Sequence, residues 1–181
     1  MLDHTPLDAR RVLDLGTGDG RVLALLRIDR PEFEGVALDF SETMLSAARI
    51  RFKSDKRIKV VRHDLNLPLP SSLGMFDAIV SSFAIHEFPH ARKRELYHEV
   101  FEHLDPGGIF CNLEHVASST VALHGAFLNA IGLTPETEDR SNRLLDVETQ
   151  LGWLRDIGFV NVDCYWKWLE LALLIGFKPN E

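Results

Sequence analysis

Along residues 11–113, short β-type runs alternate with helical ones, and this alternation restricts the chain to few architectures. Residues 11–15 read as a strand that stops at glycines. Residues 21–28 are apolar at 22, 23, 25 and 26, a helix that packs one face. A second strand is expected at 35–39 (GVALD), then a helix at 42–52 behind Ser41 as N-cap. Residues 57–62 (RIKVVR) read as a third strand, and 77–81 (DAIVS), entered through a turn at Gly74, as a fourth. A helix at 92–104 carries Leu96, Tyr97, Val100, Phe101 and Leu104, and Asp105, Pro106, Gly107 and Gly108 end it. A fifth strand follows at 109–113 (IFCNL).

Repeated β-α units predict a parallel sheet with helices on both faces. The C-terminal part breaks the pattern. Asp146 caps a helix to about 156 and Gly158 stops it; then 159–168 (FVNVDCYWKW) and 169–178 (LELALLIGFK) follow almost back to back. So short a connection forces antiparallel pairing, because a parallel return needs a long crossover. Residues 118–131 read as an extra helix and 134–142 (TPETEDRSN) as a polar loop. Together they predict an insertion over 117–145, between strand five and the last helix.

The charge balance is 20 Lys and Arg against 27 Asp and Glu, a net of -7. A nucleic-acid binder usually shows the opposite sign or a basic patch. The densest basic stretch, 49–57 (RIRFKSDKR), reads as a solvated helix face, so nucleic acid is not an expected partner. Cys111 and Cys164 lie in apolar runs without a C-x-x-C spacing and read as buried structural thiols. Residues 1–10 show no apolar signal core, and the longest apolar run, 171–177, is too short for a bilayer. No membrane association and a cytoplasmic location are expected.

The pentapeptide HEFPH (86–90) matches the zinc pattern H-E-x-x-H. That pattern works when both histidines lie one turn apart on one helical face. Pro89 disfavours helical geometry there and fits the start of the next helix instead. No metal site is expected.

Strand one runs into VLDLGTGDGR, with Gly16, Gly18 and Gly20 spaced G-x-G-x-G. Such a turn brings backbone N–H groups close to a ligand. The dinucleotide fingerprint wants glycine at the sixth place, where Arg21 stands. Asp19 in the turn would repel a pyrophosphate and attract a cation. Asp39, ending strand two, can accept both hydroxyls of a ribose, and Asp64, after strand three, can accept from the exocyclic amine of adenine. Three such features at the C-terminal ends of successive strands mark the edge where open α/β sheets bind ligands.

These stretches resemble the class I S-adenosylmethionine-dependent methyltransferases: VLDLGTGDGR (12–21), GVALDFSETML (35–45), VVRHDL (60–65), FDAIVSSFAIHEF (76–88), LDPGGIFCNLE (104–114) and GFVNVDCYWKW (158–168). The resemblance spans nearly the whole chain in order. It implies one methyltransferase domain over 1–181: a doubly wound, Rossmann-like α/β three-layer sandwich. Its seven-stranded, mostly parallel sheet would end in an antiparallel hairpin. It also implies S-adenosyl-L-methionine as cofactor and S-adenosyl-L-homocysteine as product. By position, Asp14 with Gly16, Thr17, Gly18, Asp19 and Gly20 would hold the methionine portion. Asp39 would bind the ribose, with Phe40 and Met44 against the adenine. Asp64 would reach the adenine amine and the Leu65 backbone the ring. Ser81, Ser82 and Phe83 would face the sulfonium.

Methyl transfer needs a nucleophile aligned with the methyl and water excluded. A general base is needed only for a protonated nucleophile. The candidates are His86, Glu87, Glu114 and His115, with His86 suited by its titration near neutrality. Tyr165, Trp153, Trp166 and Trp168 read as core or edge packing. Nucleic-acid and glutamine N-methylating members carry Asn/Asp-Pro-Pro-aromatic after strand four. Here Ser81, Ser82, Phe83 and Ala84 stand there, which favours a small-molecule acceptor. Most relatives place one or two cap helices before strand one, where this sequence has ten residues. A homodimer whose second subunit covers the site, a domain inactive alone, and a protein that remodels the cofactor are the alternatives.

Overall fold

The computed structural model describes residues 1–180. Seven strands form one sheet: β1 (Arg11–Leu15), β2 (Glu34–Asp39), β3 (Ile58–Arg62), β4 (Phe76–Ser82), β5 (Leu104–His115), β6 (Val160–Trp168) and β7 (Leu171–Phe177). Their order is β3-β2-β1-β4-β5-β7-β6. The first five pair in parallel, and β7 runs antiparallel to both β5 and β6. The hairpin inferred from the short connection is present; its turn passes through Leu169, at φ 49°. Five α-helices cover the sheet: α1 (Arg21–Asp29), α2 (Glu42–Arg51), α3 (His90–His103), α4 (Val121–Ala130) and α5 (Val147–Ile157).

Central strands buried on both faces read as continuous apolar runs rather than alternating ones. In β1 every residue after Arg11 is buried. Leu13 and Leu15 face a core closed by Leu96, Tyr97 and Val100 of α3 and Leu151 and Leu154 of α5. Val12 faces the opposite core, closed by Leu23 and Leu26 of α1 with Phe33 and Phe52. The two cores fix the sheet as the middle layer and leave the strand ends to build a site.

Helix boundaries follow local chemistry. Ser41, Thr120 and Asp146 each accept the N–H three residues on, and Gly158, at φ 119°, closes α5. Helix α3 starts two residues before the expected 92, because Pro89 serves as its N-cap. The helix expected over 118–131 is confined to α4. Strand β5 begins earlier than the expected 109: Leu104 pairs with Phe76, and a register irregularity follows. The Pro106–Gly107–Gly108 stretch not only stops a helix. Gly107 turns at φ 79° and donates its N–H to the Lys178 carbonyl, while the Gly108 carbonyl accepts the Lys178 N–H.

Cys111 is buried, whereas Cys164, expected to be buried, is only half-buried in β6. That strand is a sheet edge, and Tyr165, Trp166 and Trp168 are exposed along it. Side chains engage three of its backbone groups. Arg155 donates to the Val162 carbonyl, the Tyr165 hydroxyl donates to the Asn161 carbonyl, and Asp163 accepts from the Cys164 N–H. Two register shifts bend it. The segment between β5 and α5 is closed at its neck by the Ala117 N–H donating to the Leu145 carbonyl at 3.0 Å. Within it, α4 buries only Phe127 and Leu128. Among the described residues, no helix is long and apolar enough to cross a membrane.

Candidate functional site

A cleft of about 500 Å³ opens at the C-terminal ends of β1, β2 and β4. Its floor is the turn after β1, where Gly16, Gly18 and Gly20 all take positive φ (68°, 54° and 84°). A β-carbon on Gly16 would lie 2.1 Å from the Ala84 β-carbon, so glycine is needed for close packing as well as conformation. The turn is anchored by the Thr17 N–H donating to the Leu38 carbonyl at 2.8 Å. The Thr17 hydroxyl donates to Asp14 Oδ2 at 2.6 Å.

Asp39 joins the turn to β2. Its Oδ2 accepts the Gly18 N–H and its Oδ1 the Ser41 N–H, both at 2.8 Å. Each carboxylate oxygen keeps further lone-pair capacity toward the cleft, of which Asp39 forms a wall. Asp14 lies beneath the turn, 1% exposed, and does not line the cleft. Burial pushes its carboxyl up to about 7, the Thr17 hydroxyl works against this, and the Asp39 charge adds to it. Its Oδ1 is buried without a hydrogen-bond partner among the described residues.

Apolar wall comes from Phe40, Met44, Leu65, Val22, Phe83 and Phe88. Phe40 and Met44 are 64% and 48% exposed, so one side of the cleft is open. Phe83 takes φ 53°, which is rare for a non-glycine residue and costs backbone strain. Its N–H donates to the Leu113 carbonyl, which holds the chain in that conformation as β4 ends.

Of the residues expected at the site, Gly16, Thr17, Gly18, Asp19, Asp39, Phe40, Met44, Leu65, Ser82, Phe83 and Glu87 line this cleft. Gly20, Asp64, Ser81, His86 and His115 do not, nor does Glu114. Gly20 sits against the Phe52 ring, where a β-carbon would lie at 2.4 Å. Ser81 is buried and donates to the Leu15 carbonyl, a structural role within the sheet. Asp64 is turned to Asn66, whose backbone and side-chain N–H groups both donate to its Oδ1 at 2.9 Å and hold the carboxyl below the usual range. The attraction expected of Asp19 for a cation is also offset. Its Oδ2 accepts from Arg21 Nε at 3.0 Å and Arg51 Nη2 at 2.8 Å. Arg21, Val22, Ser41, Ala84 and Phe88 line the cleft without having been singled out for it. Arg21 and Ser41 were each adjacent to a flagged position.

The HEFPH segment is a loop, as Pro89 required. His86 and Glu87 lie in a turn ahead of α3, so the two histidines do not share a helical face. His86 Nδ1 is 3.4 Å from Glu114 Oε2, close enough for charge attraction but not aligned as a hydrogen bond. Glu114, 1% exposed, accepts the Ile85 N–H at 2.9 Å. The His86 and His115 ring centroids are 5.9 Å apart.

Behind them, the fully buried Glu170 accepts from His115 Nε2 and His124 Nδ1, both at 2.9 Å, and His124 Nε2 reaches Glu138 at 3.1 Å. Burial opposes ionisation of Glu170, and donors from Ser118, His115 and His124 outweigh it, holding the carboxyl below the usual range. Hydrogen bonds to Glu170 lead the causes that raise His124 above the ordinary imidazole value. This second polar cluster ties α4 and the following loop to the β6–β7 turn.

A family model described as a methyltransferase domain matches residues 12–108. The chain is 31% identical over 176 residues to a demethylmenaquinone methyltransferase of Clavibacter sepedonicus, covering 87% of this chain and 69% of that protein. It is 20% identical over 186 residues to a carboxy-S-adenosyl-L-methionine synthase of Nautilia profundicola, covering 94% and 78%. Among solved structures, it is similar to an O-methyltransferase family protein from Burkholderia thailandensis, with TM-score 0.80 and 21% identity. That match covers 98% of this chain, which spans 54% of the other.

Proposed function

Since the chain belongs to the class I S-adenosylmethionine-dependent methyltransferases, we propose that its cleft binds S-adenosyl-L-methionine and directs the methyl to a small-molecule acceptor. The observation that carries this reading is Asp39: a carboxylate fixed by two backbone N–H groups, with both oxygens beside the glycine turn. A diol is the ligand group that such a pair of acceptors suits. The 16–20 turn is suited to the amino-acid end, Phe40, Met44 and Leu65 to the purine, and Ser82 and Phe83 to the sulfonium side. Asp14, beneath the turn, would act through Thr17 and its charge.

Bound there, the cofactor supplies a methyl carbon already activated by the sulfonium. The protein's part is alignment and exclusion of water, for which Phe83 and Phe88 form the wall. If the acceptor is a hydroxyl, Glu87 is the carboxylate on the cleft wall that can take its proton. His86 and His115 stand one layer back; Glu170 holds His115, and Glu114 lies 3.4 Å from His86. Asp64 would reach the adenine through Oδ2, since both Asn66 donors go to Oδ1.

We take residues 1–181 as one domain, with 117–145 as an acceptor-side insertion, in a cytoplasmic protein without a nucleic-acid partner. A second copy is the candidate cover for the open Phe40 and Met44 side, read by light scattering with and without cofactor.

The deciding test is calorimetry with S-adenosyl-L-homocysteine. Binding by the wild type and its loss in Asp39→Ala support the reading; equal behaviour of the two would sink it. The similarity to carboxy-S-adenosyl-L-methionine synthases favours one second reading, modification of the cofactor itself. Mass spectrometry of incubated cofactor separates the two, because methyl transfer yields the demethylated thioether and modification retains a sulfonium.

A further inference from the structure

Arg21 stands where a dinucleotide fingerprint would have glycine, as the first residue of α1 and a wall of the cleft. Its charge has no use in holding the fold: the side chain is 79% exposed, and its one ion pair is with Asp19. Among the cleft-lining residues it is the only Lys or Arg; the others with charge are Asp19, Asp39 and Glu87.

The contacts of Asp19 set its orientation. Arg21 donates to Asp19 Oδ2 through Nε at 3.0 Å. Arg51, which is not on the cleft wall, donates to the same oxygen through Nη2 at 2.8 Å and to the Asp19 carbonyl through Nε at 2.7 Å. Two guanidiniums thus share one carboxylate, and the group keeps a net positive charge. Arg21 is tethered through Nε, and its two Nη groups take no hydrogen-bond acceptor among the described residues. Those are the donors with which arginine grips a carboxylate in a fork.

The amino-acid end of the proposed cofactor is a zwitterion. Its carboxylate needs a cation, and a net-positive group repels an ammonium while attracting a carboxylate. Resting on the cofactor reading above, we infer that Arg21 is the receptor for the cofactor's α-carboxylate, with Asp19 and Arg51 as its positioning partners. The site thereby selects ligands that carry this carboxylate. The competing assignment gives Asp19 itself to the ammonium.

The test is calorimetry on the full chain with S-adenosyl-L-homocysteine and with 5′-methylthioadenosine, which keeps adenine, ribose and sulfur but lacks the amino-acid end. Arg21→Gln should weaken the first about tenfold, the scale of one charge-assisted fork, and leave the second within about twofold. Asp19→Asn should bind S-adenosyl-L-homocysteine as tightly as the wild type or more so, since it frees Arg21. Proportional losses for both ligands in Arg21→Gln, or no loss for either, overturn the assignment. So does an Asp19→Asn loss as large as that of Arg21→Gln. Absence of S-adenosyl-L-homocysteine binding by the wild type would overturn the cofactor reading and this inference together, a result distinct from the others.

Discussion

Replacing Asp14 by Asn should stabilise the protein at alkaline pH and do nothing of the kind at acid pH. The carboxyl is 1% exposed, keeps one oxygen without a partner, and moves from its ordinary 3.8 to about 7. An acid raised on folding holds its proton more tightly in the native than in the unfolded chain. Between pH 3.8 and about 7, therefore, the folded protein keeps a proton that the unfolded chain has lost. Its contribution to stability falls across that window as pH rises and is flat above it. This is the reverse of a paired surface carboxylate. At about 1.4 kcal/mol per tenfold in proton affinity, the ionised form costs the fold up to about 4 kcal/mol above pH 7.5. Asparagine keeps the shape and still accepts from the Thr17 hydroxyl. Urea denaturation of both proteins from pH 5 to 8.5 should show the variant gaining on the wild type through neutrality, by about 1–4 kcal/mol. The same logic predicts that a cationic ligand over the turn expels the proton. Calorimetry near pH 6.5 in buffers of different ionisation heat should detect that release in the wild type and not in Asp14→Asn. A stability gap independent of pH would refute the buried-charge argument.

Asp39→Ala should abolish measurable S-adenosyl-L-homocysteine binding and cost about 1–3 kcal/mol of stability in denaturant, because the Gly18 and Ser41 N–H groups lose their shared acceptor. Gly16→Ala should destabilise by about 3 kcal/mol through the Ala84 clash and the positive φ, whereas Gly18→Ala, with open space around it, should cost about 1 kcal/mol by the same assay. His124 titrates higher in the folded protein than in the unfolded chain, so its contribution is complete below its unfolded value and fades as pH rises through the folded one. The protection factors of the α4 amides, which remove the intrinsic pH dependence of exchange, should therefore fall in the wild type as pH rises above the ordinary imidazole range. In His124→Gln they should be low and independent of pH.

The sheet was legible because its signals are local. Apolar runs ended at glycines, Ser41 and Asp146 sat at cap positions, and the absence of any crossover between 168 and 171 left β6 and β7 one way to pair. The glycine turn and Asp39 were legible for the same reason, since both lie where a strand meets a helix. Where side chains find partners across the fold, sequence spacing was a poor guide. Asp19 is engaged by Arg51, 32 residues away, and nothing near Asp19 announces it. Asp64 commits Oδ1 two residues downstream, to Asn66, an engagement that strand-end position does not reveal. Glu170 gathers His115 and His124 from different elements, and the hairpin turn that places it marks no site in the sequence.

The capped outer edge of β6 also bears on what crowded molecules can do. An exposed strand is a template on which another chain can add, and sheets left open in that way polymerise. Here Arg155, Tyr165 and Asp163 occupy backbone groups that an incoming strand would need, and the register shifts bend the edge away from flatness. The far edge is defended differently, by Lys59 and Arg62 along β3. Both margins thus carry devices that disfavour edge addition. Aggregation should then track global unfolding, and a protein held below its melting point should remain dispersed despite the tryptophans on its flank.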